Sequence, residues 1–309
     1  MTGEIGINVL SLFDGMSCGQ IALERAGVKV ANYYASEIDK SAIAATKANY
    51  PNTIHCGDIV NLKSSDLPKI DLIIGGSPCQ GFSIAGKQLN FEDPRSKLFF
   101  EFHRLLNECK PKWFLLENVP MKKEFEDAIS WYLGCYPRLI NSSLVSAQNR
   151  KRLYWTNIKF EEIKDKGVKL IDILEHSEQP IITALLKEFR INKATIIGRR
   201  LNAHGRREDY NKSIPAIQCL EVRASNTEKS NCLTTVDKDN VLTPLAIGRY
   251  PDVFKKKLPF RYYTLREACR LQTVPDDYFD GVVSASKAKK MLGNGWTVDV
   301  ITHIFKNLT

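Results

Sequence analysis

Residues 7–19, which read INVLSLFDGMSCG, are the stretch that decides the fold. Ile7 to Phe13 are mostly apolar and predict a first strand. An acidic, glycine-containing turn from Asp14 to Gly19 follows, and Gln20 to Ala26 predicts a helix that ends at Gly27. A strand, a glycine turn and a helix in this order begin an open α/β sheet, in which the turn binds nucleotides. Because the turn lacks the GxGxxG pattern, it is by itself a weak indication of a ligand.

The chain beyond this stretch continues the alternation of strands and helices. Val30 to Ser36 predicts a second strand, and Asp39 can cap a helix that runs from Lys40 to about Tyr50. Ile70 to Ile74 predicts a strand that is buried on both faces, and Trp113 to Leu116 predicts another. The pattern therefore predicts an α/β fold with a mixed, mostly parallel, Rossmann-like sheet.

The alternation stops after a late strand predicted from Arg152 to Asn157, and the chain is then more polar and basic until Phe260. Helices predicted from Leu265 to Gln272 and from Val298 to Phe305 resume the regular structure. We therefore expect a main domain formed by residues 1–160 and 261–309, with a smaller domain of residues 161–260 between its two parts.

The composition is that of an ordered globular protein, and its basic charge balance favours association with a polyanion, for which charge alone is weak evidence. Hydrophobic residues make up 43% of the chain, and the formal net charge is +9. Residues 190–212 contain seven Lys and Arg but only two acidic residues, which favours nucleic-acid binding, although a solvated charged face remains open. The eight cysteines include no CxxC pair, so neither a zinc site nor a disulfide framework is predicted.

Two side chains suited to catalysis follow neighbouring strands of the predicted sheet. Cys79 comes after the strand at residues 70–74, and Glu117 comes after the strand at residues 113–116. Because parallel strands end at the same edge of a sheet, a nucleophile and an acid should lie side by side there. Glu37 ends the second strand about 20 residues beyond the turn, where a carboxylate can accept hydrogen bonds from a ribose.

Four segments in a fixed order resemble the DNA cytosine-C5 methyltransferases. They read GSPCQGFS (residues 76–83), ENV (117–119), QNRKR (148–152) and GNGWTV (293–298). The resemblance extends from Leu10 to Val300 and is interrupted where that family has its variable target-recognition domain. It implies a class I methyltransferase core, a smaller target-recognition domain and DNA cytosine-C5 methyltransferase activity.

The resemblance also implies a role for each matching residue. It makes Cys79 the nucleophile that adds to C6 of a flipped-out cytosine, and Glu117 the residue that contacts and protonates N3. Arg152 would help to hold the base, Arg150 would order the site, and Gln148 would support it. The implied methyl donor is S-adenosyl-L-methionine, with S-adenosyl-L-homocysteine as the product.

Further residues are expected to line the two binding sites. Those implied at the cofactor are Phe13, Asp14, Gly15, Glu37, Ile38, Asp58, Ile59, Pro78, Asn294, Trp296 and Val298. Those expected at the DNA are Gln80, Ser83, Arg95, Arg199, Arg200, Arg223, Thr234 and Thr235. Asp58 could contact the adenine amino group, but an ordinary helix N-cap is an equally open interpretation. Asp14 and Trp296 depart from the common bacterial pattern and resemble the animal de novo branch, and the matching catalytic residues are all present.

Three other functions stay open at this point. One branch of the same family methylates tRNA and carries a Cys-Phe-Thr tripeptide, which neither Cys219-Leu220-Glu221 nor Cys232-Leu233-Thr234 matches. A catalytically silent DNA-binding relative leaves the complete set of catalytic residues unexplained, and a nicotinamide-dependent oxidoreductase leaves Cys79 without a function.

We expect double-stranded DNA as the partner, a monomer acting on it, no metal and no membrane association. The corresponding locations are the cytoplasm of a bacterium or phage-infected cell, with nucleoid association, or a eukaryotic nucleus.

Overall fold

A seven-stranded sheet forms the centre of the protein in this computed structural model, which describes residues 6–77, 97–175, 192–223 and 228–308. The strands lie in the order β3-β2-β1-β4-β5-β7-β6. Their bounds are β1 (Ile7–Leu12), β2 (Val30–Ser36), β3 (Ile54–His55), β4 (Leu72–Gly75), β5 (Trp113–Asn118), β6 (Arg138–Asn141) and β7 (Lys151–Thr156). The mixed, mostly parallel α/β sheet expected from the sequence is confirmed.

Strand direction decides which side chains meet at the edge of the sheet. β1 pairs in parallel with β2 and β4, and β4 pairs in parallel with β5, so these four strands end at one edge. β7 runs antiparallel to β5, with Glu117 opposite Tyr154 and Asn118 opposite Leu153. The start of β7 therefore lies beside the end of β5, which brings Arg152 to the edge where Glu117 lies.

Helices cover both faces of this sheet. They are α1 (Cys18–Ala26), α2 (Lys40–Asn49), α3 (Lys97–Cys109), α4 (Lys123–Leu133), α5 (Leu265–Leu271), α6 (Ala285–Asn294) and α7 (Val298–Phe305). Local signals set several of their ends, since Gly27 terminates α1 with φ 75° and the Asp39 carboxylate accepts from the Ser41 amide at 2.7 Å. At α5, Thr264 and Glu267 form a reciprocal capping box.

Two large hydrophobic clusters fill the space between the helices and the sheet. Leu72, Ile73 and Ile74 are fully buried and divide between the two clusters, as expected for a strand that is covered on both faces. α7 packs against α1, and Ile301, Ile304 and Phe305 of α7 are fully buried. The C-terminal segment therefore completes the core that the first strand and helix begin.

A second, five-stranded antiparallel sheet forms the smaller lobe. Its strands are β8 (Asn192–Arg199), β9 (Ile217–Val222), β10 (Val241–Thr243), β11 (Gly248–Pro251) and β12 (Arg261–Tyr262), in the order β11-β9-β8-β10-β12. It has a hydrophobic cluster of its own. The expected domain limits of 161–260 stay a prediction. Leu170, Ile173 and Leu174 belong to the larger core, and β12 of the smaller sheet begins at Arg261.

Neither a membrane-spanning helix nor a metal cluster is present in the described ranges. Within residues 6–77, 97–175, 192–223 and 228–308, no helix is long and apolar enough to cross a membrane. The same ranges hold no cluster of His, Cys, Asp and Glu with the arrangement of a metal site.

Candidate active site

A cavity of about 670 Å³ lies at the edge where β1, β2, β4 and β5 end. Its volume is within the range of small-molecule sites, which is about 300–1,000 Å³. One part is lined by Phe13, Asp14, Gly15 and Glu37, and another part by Glu117 and Arg152. The two sets of residues that the sequence assigned to a cofactor and to a base therefore share one continuous space.

The turn after β1 has an unusual backbone. Phe13 and Ser17 have positive φ angles of 59° and 61°, and Gly15 has a φ of 60°. Non-glycine residues rarely adopt this region, and such strain is concentrated at ligand sites. The Asp14 carboxylate accepts hydrogen bonds from the Tyr33 hydroxyl at 2.8 Å and the Ser17 hydroxyl at 2.5 Å. Burial nevertheless raises the pKa of Asp14 to about 6, because desolvation outweighs these hydrogen bonds.

Glu37 joins the end of β2 to this turn. One carboxylate oxygen, Oε2, accepts from the Gly15 amide at 2.8 Å, and Oε1 accepts from the amides of Ile38 and Asp39 at 2.7 and 2.8 Å. A carboxylate oxygen can accept two hydrogen bonds, so Oε2 retains capacity for a ligand hydroxyl. The Ile38 side chain beside it is 71% exposed and offers an apolar surface.

Glu117 lies at the other end of the cavity and is held by two donors. Its side chain is largely buried, and Arg152 Nε lies 2.9 Å from Oε1. The indole Nε1 of Trp296 donates to Oε2 at 3.1 Å. Both carboxylate oxygens are therefore oriented by neighbouring side chains, one from β7 and one from the C-terminal segment.

Arg150 and Gln148 hold the surrounding chain rather than line the cavity. Arg150 is 2% exposed, and its guanidinium donates to the carbonyls of Leu233 at 2.9 Å and Gly295 at 2.7 Å. Gln148 is fully buried, accepts from the Leu233 amide at 3.1 Å and donates to Gln272 Oε1 at 2.9 Å. Neither residue lines the cavity, and the expectation that Arg150 orders the site and Gln148 supports it stays a prediction.

The segment at residues 232–235 reaches the cavity from the smaller lobe. Thr234 and Thr235, which were expected at the DNA, line its wall together with Asn294 and Trp296. A Cβ on Gly293 would overlap the backbone of Thr234, so only glycine permits this close approach. Sequence reasoning predicted Asp39 only as a helix cap and missed it at the cavity. It also missed other lining residues: Met16, Cys18, Ala42, Cys232, Leu233 and Met291.

Comparison with known proteins decides the family. The family model described as C-5 cytosine-specific DNA methylase matches residues 7–309. The chain belongs to this family. Among curated relatives of this DNA methylase, Type II methyltransferase M1.ScrFI of Lactococcus lactis subsp. cremoris is 31% identical over 97% of this chain and 77% of the relative. Type II methyltransferase M.FnuDI of Fusobacterium nucleatum is 29% identical over 98% and 94% of the two chains.

Some curated relatives match only a part of this chain, whereas solved structures match nearly all of it. Type II methyltransferase M.NlaIV of Neisseria lactamica is 35% identical over 59% of this chain, and the match spans 51% of the relative. Among solved structures, Entamoeba histolytica methyltransferase EhMeth gives a TM-score of 0.68 at 16% identity, covering 98% of this chain and 99% of that one. Dnmt2 of S. pombe gives 0.62 at 18% identity, covering 96% of each chain. These likenesses confirm the fold of the DNA methylase.

The cofactor half of the cavity fits S-adenosylmethionine, on which methyltransferases of this family depend. Three carboxylates line this part of the cavity, from Asp14, Glu37 and Asp39. Their negative charge suits a ligand that carries positively charged ammonium and sulfonium groups. The expected contacts of Glu37 with a ribose and of Ile38 with an adenine stay predictions.

Three residues expected at the cofactor are not among those that line the cavity of this methylase. The Asp58 carboxylate accepts from the Val60 amide at 3.0 Å and caps a short 3₁₀ helix, which is the alternative that the sequence left open. Ile59 and Val298 are 3% and 0% exposed and belong to the hydrophobic core. None of the three lines the cavity, and their expected contact with the cofactor stays a prediction.

The arginines expected at the DNA divide into buried and exposed groups. Arg199 is 7% exposed and forms an ion pair with Glu221 at 2.7 Å, so the expectation that it contacts DNA is corrected. Arg200 donates to the Ile214 carbonyl at 3.0 Å and is partly buried. The side chain of Arg223 is 70% exposed and remains a candidate for DNA contact. Five further expected site residues lie outside the described residues: Pro78, Cys79, Gln80, Ser83 and Arg95.

Proposed function

We propose that this DNA methylase transfers a methyl group to C5 of a flipped-out cytosine in double-stranded DNA, with S-adenosylmethionine as the donor. The observation that supports this most directly is the Glu117 carboxylate, which is held between Arg152 and Trp296 at the wall of the cavity. Cys79 follows β4 closely in the chain, and β4 pairs in parallel with β5, which carries Glu117.

Each residue then has a defined task. The Cys79 thiolate adds to C6 of cytosine, and Glu117 contacts and protonates N3, so that electron density accumulates at C5. Bound S-adenosylmethionine supplies the methyl group that C5 accepts. Arg152 keeps the Glu117 carboxylate facing the cavity. After a base has removed the C5 proton, the C6–sulfur bond breaks and Cys79 leaves as a thiolate.

The cavity requires the target base to leave the duplex. Glu117 and Arg152 lie at a recessed edge of the sheet, and stacked bases cannot reach them without extrusion of the nucleotide. The smaller lobe presents exposed arginines that can contact phosphates while the base is extruded. We infer that one chain acts as a monomer on the duplex, in whichever compartment holds the DNA of the cell.

Covalent trapping tests the chemistry. DNA that contains 5-fluorocytosine should form a stable adduct with the wild-type protein, because fluorine at C5 blocks the final elimination. Cys79→Ala should form no adduct, since the nucleophile is absent. An undiminished adduct in that variant would show that Cys79 is not the nucleophile.

Bisulfite sequencing tests the substrate. DNA from cells that express the chain should contain cytosines that resist conversion within one sequence context, and these should be absent with Cys79→Ala. Modified tRNA cytosine together with fully convertible DNA would instead favour the RNA-directed branch of the family.

A further inference from the structure

The Trp296 side chain lines the cavity and contacts the Glu117 carboxylate. Its Nε1 donates to Glu117 Oε2 at 3.1 Å, while Arg152 Nε lies 2.9 Å from Oε1. A cofactor wall needs only the apolar surface of an indole, and any large ring would supply it. A hydrogen bond from the indole N–H to an active-site carboxylate is a separate feature that requires tryptophan.

Gly76 makes this hydrogen bond possible. A Cβ at residue 76 would lie 3.0 Å from Trp296 Nε1 and 3.1 Å from Glu117 Oε2, which is tighter than ordinary van der Waals contact. An alanine there would press against both the donor and the acceptor, so that at least one of the two side chains would have to shift. The φ angle of Gly76 is not in the left-handed region, so its missing side chain, rather than its backbone conformation, matters.

The backbone that carries Trp296 is fixed from several sides. Arg150 donates to the carbonyls of Gly293 at 3.1 Å and Gly295 at 2.7 Å, and Gln272 donates to the Gly295 carbonyl at 3.2 Å. On the other side of the tryptophan, the Thr297 hydroxyl donates to Gln272 Oε1 at 2.9 Å. The indole is therefore presented to Glu117 by a rigid loop, so little ordering is needed when substrate binds.

We propose that Trp296 is a positioning residue for Glu117, and that its indole N–H keeps the carboxylate oriented toward the cytosine. This inference rests on the proposed function and adds a task to a residue that the family resemblance assigns only to the cofactor. The Trp296 hydrogen bond and the Arg152 ion pair together hold both carboxylate oxygens. Loss of the indole donor leaves Oε2 free to rotate away from the base, while the ring that borders the cofactor is preserved.

Trp296→Phe tests the inference, because phenylalanine retains a ring but has no N–H. We expect kcat and the rate of adduct formation with 5-fluorocytosine DNA to fall by about tenfold. The affinity for S-adenosylhomocysteine, measured by calorimetry without any turnover, should change by less than about threefold. Unchanged kcat would overturn the inference, and so would a loss of cofactor affinity as large as the loss of kcat.

Gly76→Ala provides an independent variant that changes neither Trp296 nor Glu117 but crowds both side chains. It should reproduce the slow adduct formation, and the double variant with Trp296→Phe should be no slower than either single one, because both remove the same hydrogen bond. Additive losses would overturn the inference. Melting temperatures of all variants identify any that fail to fold, and only folded variants enter the comparison.

Trp131→Phe is the matched control, since Trp131 is 77% exposed on α4 and should leave every readout unchanged. The proposed function and the positioning role of Trp296 are refuted by different results. Wild-type protein without adduct or methylation would refute the proposed function itself. Wild-type activity that persists fully in Trp296→Phe would refute only the positioning role.

Discussion

The carboxyl group of Asp14 lies in the strained turn after β1, where burial raises its pKa to about 6. Two hydroxyl groups already donate to it, but no cationic side chain is among its hydrogen-bond partners within the described residues. A ligand ammonium group near Asp14 would favour the carboxylate form. Cofactor binding and the loss of a proton from Asp14 should therefore be coupled.

We expect the affinity for S-adenosylhomocysteine to fall as the pH is lowered through about 6, by about tenfold per pH unit below the pKa. Calorimetric titrations between about pH 5 and pH 8 measure this. Asp14→Asn should bind more weakly at neutral pH and show no dependence in this range. An affinity of the wild-type protein that stays constant across the range would contradict the coupling.

The raised pKa of Asp14 also affects the stability of the ligand-free protein, but in the opposite direction: stability increases as the pH falls. The protonated Asp14 is the form that the unliganded fold prefers, so its stabilising contribution is fully present below the ordinary Asp value of 3.8. The contribution is lost as the pH rises through about 6. Ligand-free protein should accordingly gain thermal stability relative to Asp14→Asn as the pH is lowered through this window.

Arg150 is a second residue whose surroundings predict a measurable effect. Its guanidinium bonds carbonyls of Leu233, Gly293 and Gly295, and burial lowers its pKa from the usual arginine value. Arg150→Ala should lower the free energy of unfolding by about 3 kcal/mol, because a cavity and several unpaired carbonyl groups remain. Urea denaturation measures this change.

Arg223→Ala is the control for that experiment, since its side chain is 70% exposed. It should change the free energy of unfolding by less than about 0.5 kcal/mol. Equal destabilisation by the two substitutions would contradict the structural role of Arg150.

At the scale of elements, β9 and β11 arrange the arginines of the smaller lobe. Their register places Glu221 opposite Arg249, and the Glu221 carboxylate also contacts Arg199 and Arg223. Hydrogen bonding from Arg199, with further bonds from the other two arginines, lowers the pKa of Glu221 to about 2. This cluster stays charged above that pH, with Arg199 buried and the other two arginines exposed.

We expect Arg223→Ala and Arg249→Ala each to reduce the slope of log affinity against log salt by about 1, since each exposed guanidinium can neutralise one DNA phosphate. Fluorescence anisotropy with a short duplex at several salt concentrations measures the slope. Arg138→Ala serves as the control, because Arg138 lies on β6 of the main sheet and packs over the Phe160 ring, whereas β9 and β11 belong to the smaller sheet. Slopes equal to that of the wild-type protein would show that these arginines do not contact DNA phosphates.

At the scale of the whole molecule, the two ends of the sequence form one core. α7 packs against α1, and Asp299 of α7 forms an ion pair with Arg25 of α1 at 2.9 Å. The segment at residues 228–235 also returns from the smaller lobe, where Ser230 bridges to Gln148 and Leu233 joins the larger core. Folding of the cavity therefore depends on segments that are far apart in sequence.

A chain that ends at Thr297 should fail to fold cooperatively, because the face of α1 that α7 covers would be left exposed to water. Circular dichroism during urea denaturation, together with limited proteolysis, measures this. A cooperative transition at the wild-type urea midpoint would show that α7 is dispensable.

Local patterns in the sequence were sufficient for the first half of the main sheet. β2 and α7 have the predicted bounds, and β1 ends one residue before the predicted limit. The turn at Asp14, Glu37 at the end of β2 and Glu117 on β5 also follow from the residue pattern alone. These features are local, because strand and helix periods, caps and turns depend on neighbouring residues. The position of Cys79 relative to Glu117 stays a prediction.

Tertiary structure alone decided how these parts meet. The antiparallel direction of β7 brings Arg152 to Glu117, the Trp296 indole reaches the same carboxylate, and Arg199 is buried by Glu221. Packing also decided that Asp58 caps a short helix and that Ile59 and Val298 fill the core. Such outcomes depend on pairing and packing between residues that are distant in the chain, and no local period encodes which distant partner a side chain will meet.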